Sequence, residues 1–227
     1  MDGKLYIVAT PIGNLEDITL RALRILQESD TVACEDTRHT QTLLRRHNIR
    51  AKRLTSYFEH NKIQKARQLL DVMKAGQTVA LVSDAGTPGI SDPGYRIIKD
   101  AIDNGIRIEV IPGPSAAISA LIASGMPTDR FIFCGFLPNK TAARKKSLEG
   151  LAAETRTIII YESPHRVCST LRDIKEVLGN IRIACMRELT KKFEEIQRAP
   201  VSDVLESYLN RTPKGEFVII FNPGQIK

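Results

Sequence analysis

Leu81-Val-Ser-Asp-Ala-Gly-Thr-Pro-Gly-Ile-Ser-Asp-Pro-Gly94 is the stretch on which the reading of this chain turns. It opens as the end of a hydrophobic strand over residues 78–82. It then breaks into a loop with three glycines, two prolines and two aspartates before helical periodicity resumes at Tyr95. Gly permits positive φ and close approach of a ligand, whereas Pro fixes φ and removes a backbone donor. At the carboxyl end of a strand in an α/β protein, a loop of this composition is a ligand-holding loop.

Outward from this loop, short apolar runs alternate with segments of helical period. Strands are expected over residues 4–9, 31–34, 52–54, 78–82, 107–111, 131–134, 156–161, 181–185, 194–198 and 217–221. Helices are expected over 15–29, from the Glu35-Asp-Thr-Arg38 segment to about His47, and over 61–75, 94–104, 116–124, 141–151, 164–178 and 201–209. Gly76 suits a helix C-terminus, and Pro164 suits the first position of its helix. The pattern predicts an α/β fold of two α/β domains, 1–125 and 126–227, with Gly125-Met-Pro127 as the junction.

The 227 residues are 42% hydrophobic, enough for a packed core. Trp is absent and aromatic residues are 5%, which argues against an extended stacking platform for single-stranded nucleic acid. Lys and Arg outnumber Asp and Glu by 33 to 26, and the sequence pI is about 9.3. The excess is concentrated. Residues 38–67 hold nine basic side chains and one acid, a local charge of +8 against +7 for the whole chain. Such a patch is either a solvated helix face or the footprint of a polyanionic partner.

Cys34, Cys134, Cys168 and Cys185 form no C-x-x-C pair and read as reduced thiols of a cytosolic protein. His39, His47, His60 and His165 have no metal-ligand spacing, so no metal is expected. The chain begins directly in a strand, and no apolar window reaches the length of a membrane span. The expectation is a soluble, cytoplasmic protein with neither membrane nor DNA among its partners.

Five polar clusters follow strands: residues 10–14, 35–38, 83–94, 112–115 and 162–166. Segments beyond the carboxyl ends of strands in an open sheet converge on one edge, so these clusters are expected to line one cleft. No Walker loop, G-x-G-x-x-G or G-x-S-x-G is present. The loops carry acids and carbonyls rather than basic groups. That suits a ligand with cationic and hydroxyl-bearing parts better than a triphosphate, and S-adenosylmethionine has both.

Eight segments occur in order along nearly the whole chain: Thr10-Pro-Ile-Gly-Asn-Leu-Glu-Asp17, Glu35-Asp-Thr-Arg38, Ser56-Tyr-Phe-Glu-His-Asn61, Ser83-Asp-Ala-Gly-Thr-Pro-Gly-Ile-Ser-Asp-Pro-Gly94, Pro112-Gly-Pro-Ser-Ala116, Gly135-Phe-Leu-Pro138, Tyr161-Glu-Ser-Pro-His-Arg166 and Arg187-Glu-Leu-Thr-Lys191. With them the sequence resembles the ribosomal RNA small subunit methyltransferase I group of the tetrapyrrole methylase family. The resemblance implies two α/β domains, S-adenosylmethionine bound between them, and a homodimer. It also implies 2′-O-methylation of a cytidine in the decoding region of 16S rRNA, on the rRNA or the small ribosomal subunit.

For the methyl donor it implies Pro11, then Ala85, Gly86, Pro88, Ile90 and Ser91, with Ser115 and Ala116 beside the adenosine or methionine end. Tyr161, Glu162 and the segment Gly215-Glu-Phe217 would close the other wall. The central loop reads Ala85-Gly-Thr-Pro88, the rRNA-type form, where the tetrapyrrole-modifying branch has G-G-D-P. On this reading the basic segment becomes an RNA face. Related proteins often carry a further basic helical segment after the last strand, and this chain stops at Lys227, which bears on how RNA is engaged.

Methyl transfer to a ribose hydroxyl needs positioning and a group to take the proton. Asp36, Glu59, His60, Asp84, Glu162 and His165 have the chemistry, and Asp36, Glu162 and His165 are the first to test. Arg38, Arg166 and Arg187 suit phosphate positioning, as does Lys191 as a point charge. Plainer readings compete. Asp36 can cap a helix, Glu35 and Arg38 can pair, His165 can be a surface ring at a helix start, and Ser115 can be a helix cap. Two other functions stay open: a methylase of a tetrapyrrole or other small metabolite, and a non-catalytic RNA-binding module.

Overall fold

The computed structural model describes residues 3–225, in two compact units divided between Ser115 and Ala116. The first unit carries β1 (Lys4–Val8), α1 (Leu20–Glu28), β2 (Thr31–Cys34), α2 (Thr37–Arg46), β3 (Leu54–Ser56), α3 (Lys62–Lys74), β4 (Thr78–Leu81), α4 (Tyr95–Asp103) and β5 (Arg107–Ile111). Its five strands lie in the order β3-β2-β4-β1-β5, all parallel. Both faces are covered, and strand alternation divides the core between them. On β4, Val79 and Leu81 pack with Leu69, Leu70 and Met73 of α3 and Ile97 of α4. Ala80 and the following Val82 pack on the opposite face with Ile25, Leu26, Leu43 and Leu44 of α1 and α2.

The second unit carries α5 (Ala116–Ser124), β6 (Phe131–Phe136), α6 (Thr141–Leu151), β7 (Thr157–Glu162), α7 (Val167–Leu178), β8 (Arg182–Arg187), β9 (Glu195–Pro200), α8 (Val201–Leu209) and β10 (Phe217–Phe221). The sheet order is β6-β7-β10-β8-β9. β6 and β7 are parallel, whereas β10 runs antiparallel to both β7 and β8. Helices α6, α7 and α8 cover one face and α5 the other.

The unit boundary precedes α5, ahead of the junction expected at residues 125/126. The reason is packing: Ala117, Ala120 and Leu121 bury themselves against Ile159, Ala184, Met186, Val218 and Ile220 of the second sheet. Other element limits differ by one to several residues, and three of the shifts have a clear local cause. The helix expected over 15–29 breaks into a 3-10 turn (Leu15–Asp17) and α1, because Thr19 Oγ1 accepts the Ala22 N–H at 3.0 Å and starts a new helix. β3 begins later because Lys52 donates outward to Glu28 O at 2.7 Å and to Asp30 at 3.0 Å. Pro164-His-Arg166 forms a tight turn on Ser163 O, and α7 starts at Val167.

α6 and α7 are locked by a buried ion pair. Arg144 Nε donates to Asp173 Oδ2 at 2.6 Å, and the two side chains are 2% and 7% exposed. The same guanidinium donates to Asn139 O at 3.2 Å and so also fixes the loop after β6. Removing one partner of such a pair strands the other charge without solvent. Asp173→Ala is expected to lower unfolding free energy by about 3–5 kcal/mol, read as a shifted midpoint in urea titration.

Candidate active site

Because all five strands of the first sheet are parallel, the segments after them gather on one edge. The residue clusters 10–14, 35–38, 83–94 and 112–115 therefore share that edge, together with the turn after β3. The first loop and the central loop are joined directly. Thr10 N donates to Gly86 O at 2.9 Å and Gly86 N to Thr10 O at 3.0 Å. Thr10 Oγ1, buried, donates to Ser83 O at 3.0 Å, and Ser83 Oγ lies within hydrogen-bond reach of the Ala85 and Gly86 carbonyls at 3.2 and 3.3 Å.

Gly86 sits at φ 78, in the left-handed region where a side chain strains the backbone. Ser91 holds φ 63 further along the same loop, a conformation costing a non-glycine residue about 1–3 kcal/mol. Pro11 and Pro88 are buried, Ala85 half-buried, and Ile90 and Ser91 exposed. Thr87 Oγ1 reaches Pro114 O at 3.5 Å, tying the central loop to the segment that carries Ser115.

The titratable groups here fall into two kinds. Asp36 is the N-cap of α2: it accepts from Arg38 N at 2.8 Å and from the Arg38 side chain at 3.2 and 2.9 Å. The Arg38 guanidinium holds the Asp36 carboxyl down at about 2. A carboxylate so weakly basic is a poor proton acceptor near neutral pH. Arg38 thus pairs with Asp36, and the alternative Glu35–Arg38 pair does not form.

Glu35 is the opposite case. Its carboxylate makes no hydrogen bond or ion pair among the described residues. Half-burial, then the charge of Asp84, raise its proton affinity above the ordinary glutamate value. Asp84 is oriented by accepting the Asp36 N–H at 3.1 Å. Sequence reasoning gave Glu35 no catalytic role. The available signal was its position as the first residue beyond a buried strand, one strand away from the acid that opens the central loop.

In the second unit β6, β7 and β8 run in one direction, so the turns after them and the start of β10 share an edge. Phe217 pairs with Glu162 on one side and Arg187 on the other. Glu162 is buried, with its carboxylate enclosed. Thr170 Oγ1 donates to it at 2.6 Å, Ser163 N at 2.7 Å and Arg166 Nη2 at 3.2 Å. Arg166 Nε lies 3.2 Å from the other oxygen without hydrogen-bond alignment. Arg166 also donates to Leu137 O at 2.7 Å and to Asn139 Oδ1. Glu162 and Arg166 therefore clamp the turn between β7 and α7, and the Arg166 guanidinium is already committed to Glu162, Leu137 O and Asn139 Oδ1.

Arg187 is likewise engaged, with Glu195 at 3.1 Å and Lys214 O at 3.3 Å. Lys191 bridges Glu188 and Glu216, each at 2.9 Å. Gly215 sits at φ 87, which favours glycine, and a Cβ there would displace the Glu188 carboxyl group from its bond to Lys191. The Phe217 ring packs in the core against Tyr208, which leaves only its backbone for a ligand. Tyr161 Oη accepts the Ala117 N–H at 3.1 Å, which fixes the start of α5 beside Ala116. His165 is exposed.

An all-parallel sheet with an acidic, glycine- and proline-rich carboxyl edge, followed by a mixed α/β unit, defines an α/β enzyme class that holds its ligand on strand-end loops. Residues 4–205 match the family model described as Tetrapyrrole (Corrin/Porphyrin) Methylases, and the chain belongs to that family.

Its relatives include proteins named ribosomal RNA small subunit methyltransferase I. The one from Escherichia coli O157:H7 is 52% identical over 222 residues, covering 96% of this chain and 77% of its own. The one from Mesorhizobium japonicum is 50% identical over 229 residues, covering 100% and 78%. The one from Thermotoga maritima is 45% identical over 220 residues, covering 97% and 98%. Among solved structures, cobalt precorrin-4 methyltransferase superposes with TM-score 0.72 at 21% identity, over 96% of this chain and 94% of the other. Uroporphyrin-III C-methyltransferase from Thermus thermophilus, complexed with S-adenyl homocysteine, gives 0.66 at 20% identity, over 99% and 100%. At these identities the structures speak to the fold.

The strand-end loops suit S-adenosylmethionine. Residues 10–14, 83–94 and 112–115 contain no Lys or Arg, and Glu35 and Asp84 place negative charge where a sulfonium is favoured over a phosphate. Thr10→Val keeps the buried shape but removes the hydroxyl bond to Ser83 O. It is expected to weaken S-adenosylmethionine binding by about 1 kcal/mol, roughly fivefold in Kd, by calorimetric titration.

Proposed function

We propose that this chain is a cytoplasmic S-adenosylmethionine-dependent methyltransferase that modifies the 2′ oxygen of a cytidine ribose in the decoding region of 16S rRNA. Its relatives at 45% to 52% identity carry the rRNA methyltransferase name across nearly the whole of this chain. The structural observation that supports the reading best is the split of charge in the first unit. The strand-end loops are acidic and suited to the donor, and the flanking segment is basic and suited to RNA. Among the described residues Arg45, Arg46, Arg50 and Arg53 are exposed and form no ion pair.

In this proposal the donor is held by Pro11, Ala85, Gly86, Pro88, Ile90, Ser91, Ser115 and Ala116. Tyr161 and the backbone at Gly215, Glu216 and Phe217 are the second unit's contribution. S-adenosylmethionine supplies an electrophilic methyl group. The protein's part is to align the ribose oxygen and to accept its proton. Glu35 is the acceptor we favour over Asp36 and Glu162. It has no competing partner, and its raised proton affinity brings it closer to the working pH. Asp84 beside it opposes a full second negative charge and so favours the protonated product of that transfer. Exposed Arg38 stands at the same edge for a phosphate. A homodimer belongs to the same reading, and the exposed Ile118 and Ile122 of α5 are apolar surface that pairing would cover.

The test is labelled-methyl incorporation into 16S rRNA, with mapping of the 2′-O-methyl mark. Incorporation that does not depend on RNA would instead favour a small-metabolite methylase. Glu35→Gln is expected to lower kcat by about 10²–10⁴-fold. In the wild type, activity should rise with pH as Glu35 loses its proton, along a limb lying above the ordinary glutamate range. That limb should vanish in Glu35→Gln. Replacing Arg45, Arg46, Arg50 and Arg53 with Ala should flatten log K for RNA against log salt by about 0.7 for each phosphate no longer neutralised, measured by fluorescence anisotropy.

A further inference from the structure

We infer that the outer face of α3 holds one unpaired nucleotide of the RNA substrate, in a pocket separate from the donor loops. The inference rests on the reading of the chain as an rRNA methyltransferase and adds a second recognition point to it. An open groove of about 440 Å³ lies there, lined by Glu59, His60, Ile63, Gln64, Arg67, Gln68 and Asp71, with the Glu59 carboxylate paired to Lys62. Its volume falls within the range of small-ligand sites.

The chemistry of the lining matches a nucleotide part by part. Gln64 and Gln68, one helical turn apart, each present an amide donor and an amide acceptor, the groups that read a base edge. Asp71, a further turn along the lining, is an acceptor for an exocyclic amine of the kind a cytosine presents. Arg67 offers a planar fork to a phosphate. None of the side chains of His60, Gln64, Arg67, Gln68 and Asp71 makes a hydrogen bond or ion pair with another described residue, so all keep their capacity for a ligand. Ile63, 56% exposed, supplies an apolar contact. The His60 ring forms one wall and is braced by Phe58, with centroids 6.2 Å apart and planes at 73°. The low aromatic content that speaks against an extended stacking platform is no obstacle to one base resting on one ring.

Position and charge support the same occupant. The turn carrying Phe58 and His60 follows β3, so it lies on the sheet edge that bears the central loop. Asn61 Oδ1 accepts the Phe58 N–H at 2.9 Å and fixes that turn. The groove overlaps the end of the basic segment 38–67; its own lining carries Glu59 and Asp71 beside Arg67, and the attraction for a polyanion comes from the surrounding Lys62, Lys65 and the unpaired arginines of α2 and the following loop.

The experiment uses the full chain and a fluorescently labelled fragment of 16S rRNA spanning the decoding region. The double variant Gln64→Ala/Gln68→Ala is expected to bind the fragment about tenfold more weakly, the loss of one or two net hydrogen bonds. KM for RNA should rise while kcat and the calorimetric affinity for S-adenosylmethionine stay unchanged. A fragment with one abasic position should lose about tenfold against the wild type and clearly less against the double variant, which keeps only the His60 contact to the base. Gln64→Glu, a near-isosteric change, should lose affinity in the same way with an unaltered melting curve. Wild-type affinity in these variants would overturn the pocket while leaving the rRNA reading intact. So would variants that lose affinity only for the assembled subunit, which would assign the pocket to a ribosomal protein. Failure of the wild-type protein to bind or methylate the fragment would overturn the rRNA reading itself.

Discussion

The reciprocal backbone bridge between Thr10 and Gly86 is the contact on which the loop edge of the first sheet depends. Two loops rich in Gly and Pro have few internal hydrogen bonds and much conformational freedom to lose. Each would be too loose to present a fixed surface alone. The bridge joins them across the ends of β1 and β4, adjacent strands in the middle of the sheet. The buried Thr10 hydroxyl then extends the tie to Ser83 O. With the two ends of the surface set by parallel strands and its middle set by this bridge, the loop can keep a strained residue such as Ser91 in place.

The second unit solves the same problem with charge instead of backbone pairing. Glu162 with Arg166, and Glu188 with Lys191, place ion pairs at the roots of the turns after β7 and β8. These carboxylates are enclosed by donors, and the cations beside them are spent on carboxylate and carbonyl oxygens. Residues of this kind look catalytic in a motif because their types are chemically active. Their burial and partners show that they hold shape. The first unit leaves the half-buried Glu35 carboxylate without such a partner among the described residues, and burial and then Asp84 raise its proton affinity.

Most of the architecture was legible because strand alternation and helical period act over many residues and add up. β5, α5, α6, α8 and β10 fall at the expected limits. The differences are local contests that periodicity does not see. Thr19 competes as a cap, Lys52 is drawn back to Asp30, and Pro164 turns on Ser163 O instead of opening a helix. In the candidate site, the cap role of Asp36 was one of the two readings its position allowed. The Glu162–Arg166 pair was not legible, because it forms only when the turn on Ser163 O folds Arg166 back over the end of β7, and its burial depends on Thr170 and on the strand partner Phe217. Glu35 went unassigned because its environment is made by Asp84, forty-nine positions away in sequence and one strand away in space.

The placement of β10 has a consequence for how the chain comes off a ribosome. The first sheet is complete once Ile111 has emerged, so that half can fold while synthesis continues. The second sheet has no such freedom. Its last strand to be made occupies the middle position, between β7 and β8, and both neighbours must wait with an open ladder until residues 217–221 arrive. The nascent molecule therefore passes through a stage with one finished half and one half exposing unpaired strand edges, and that interval is its greatest exposure to aggregation and to chaperones.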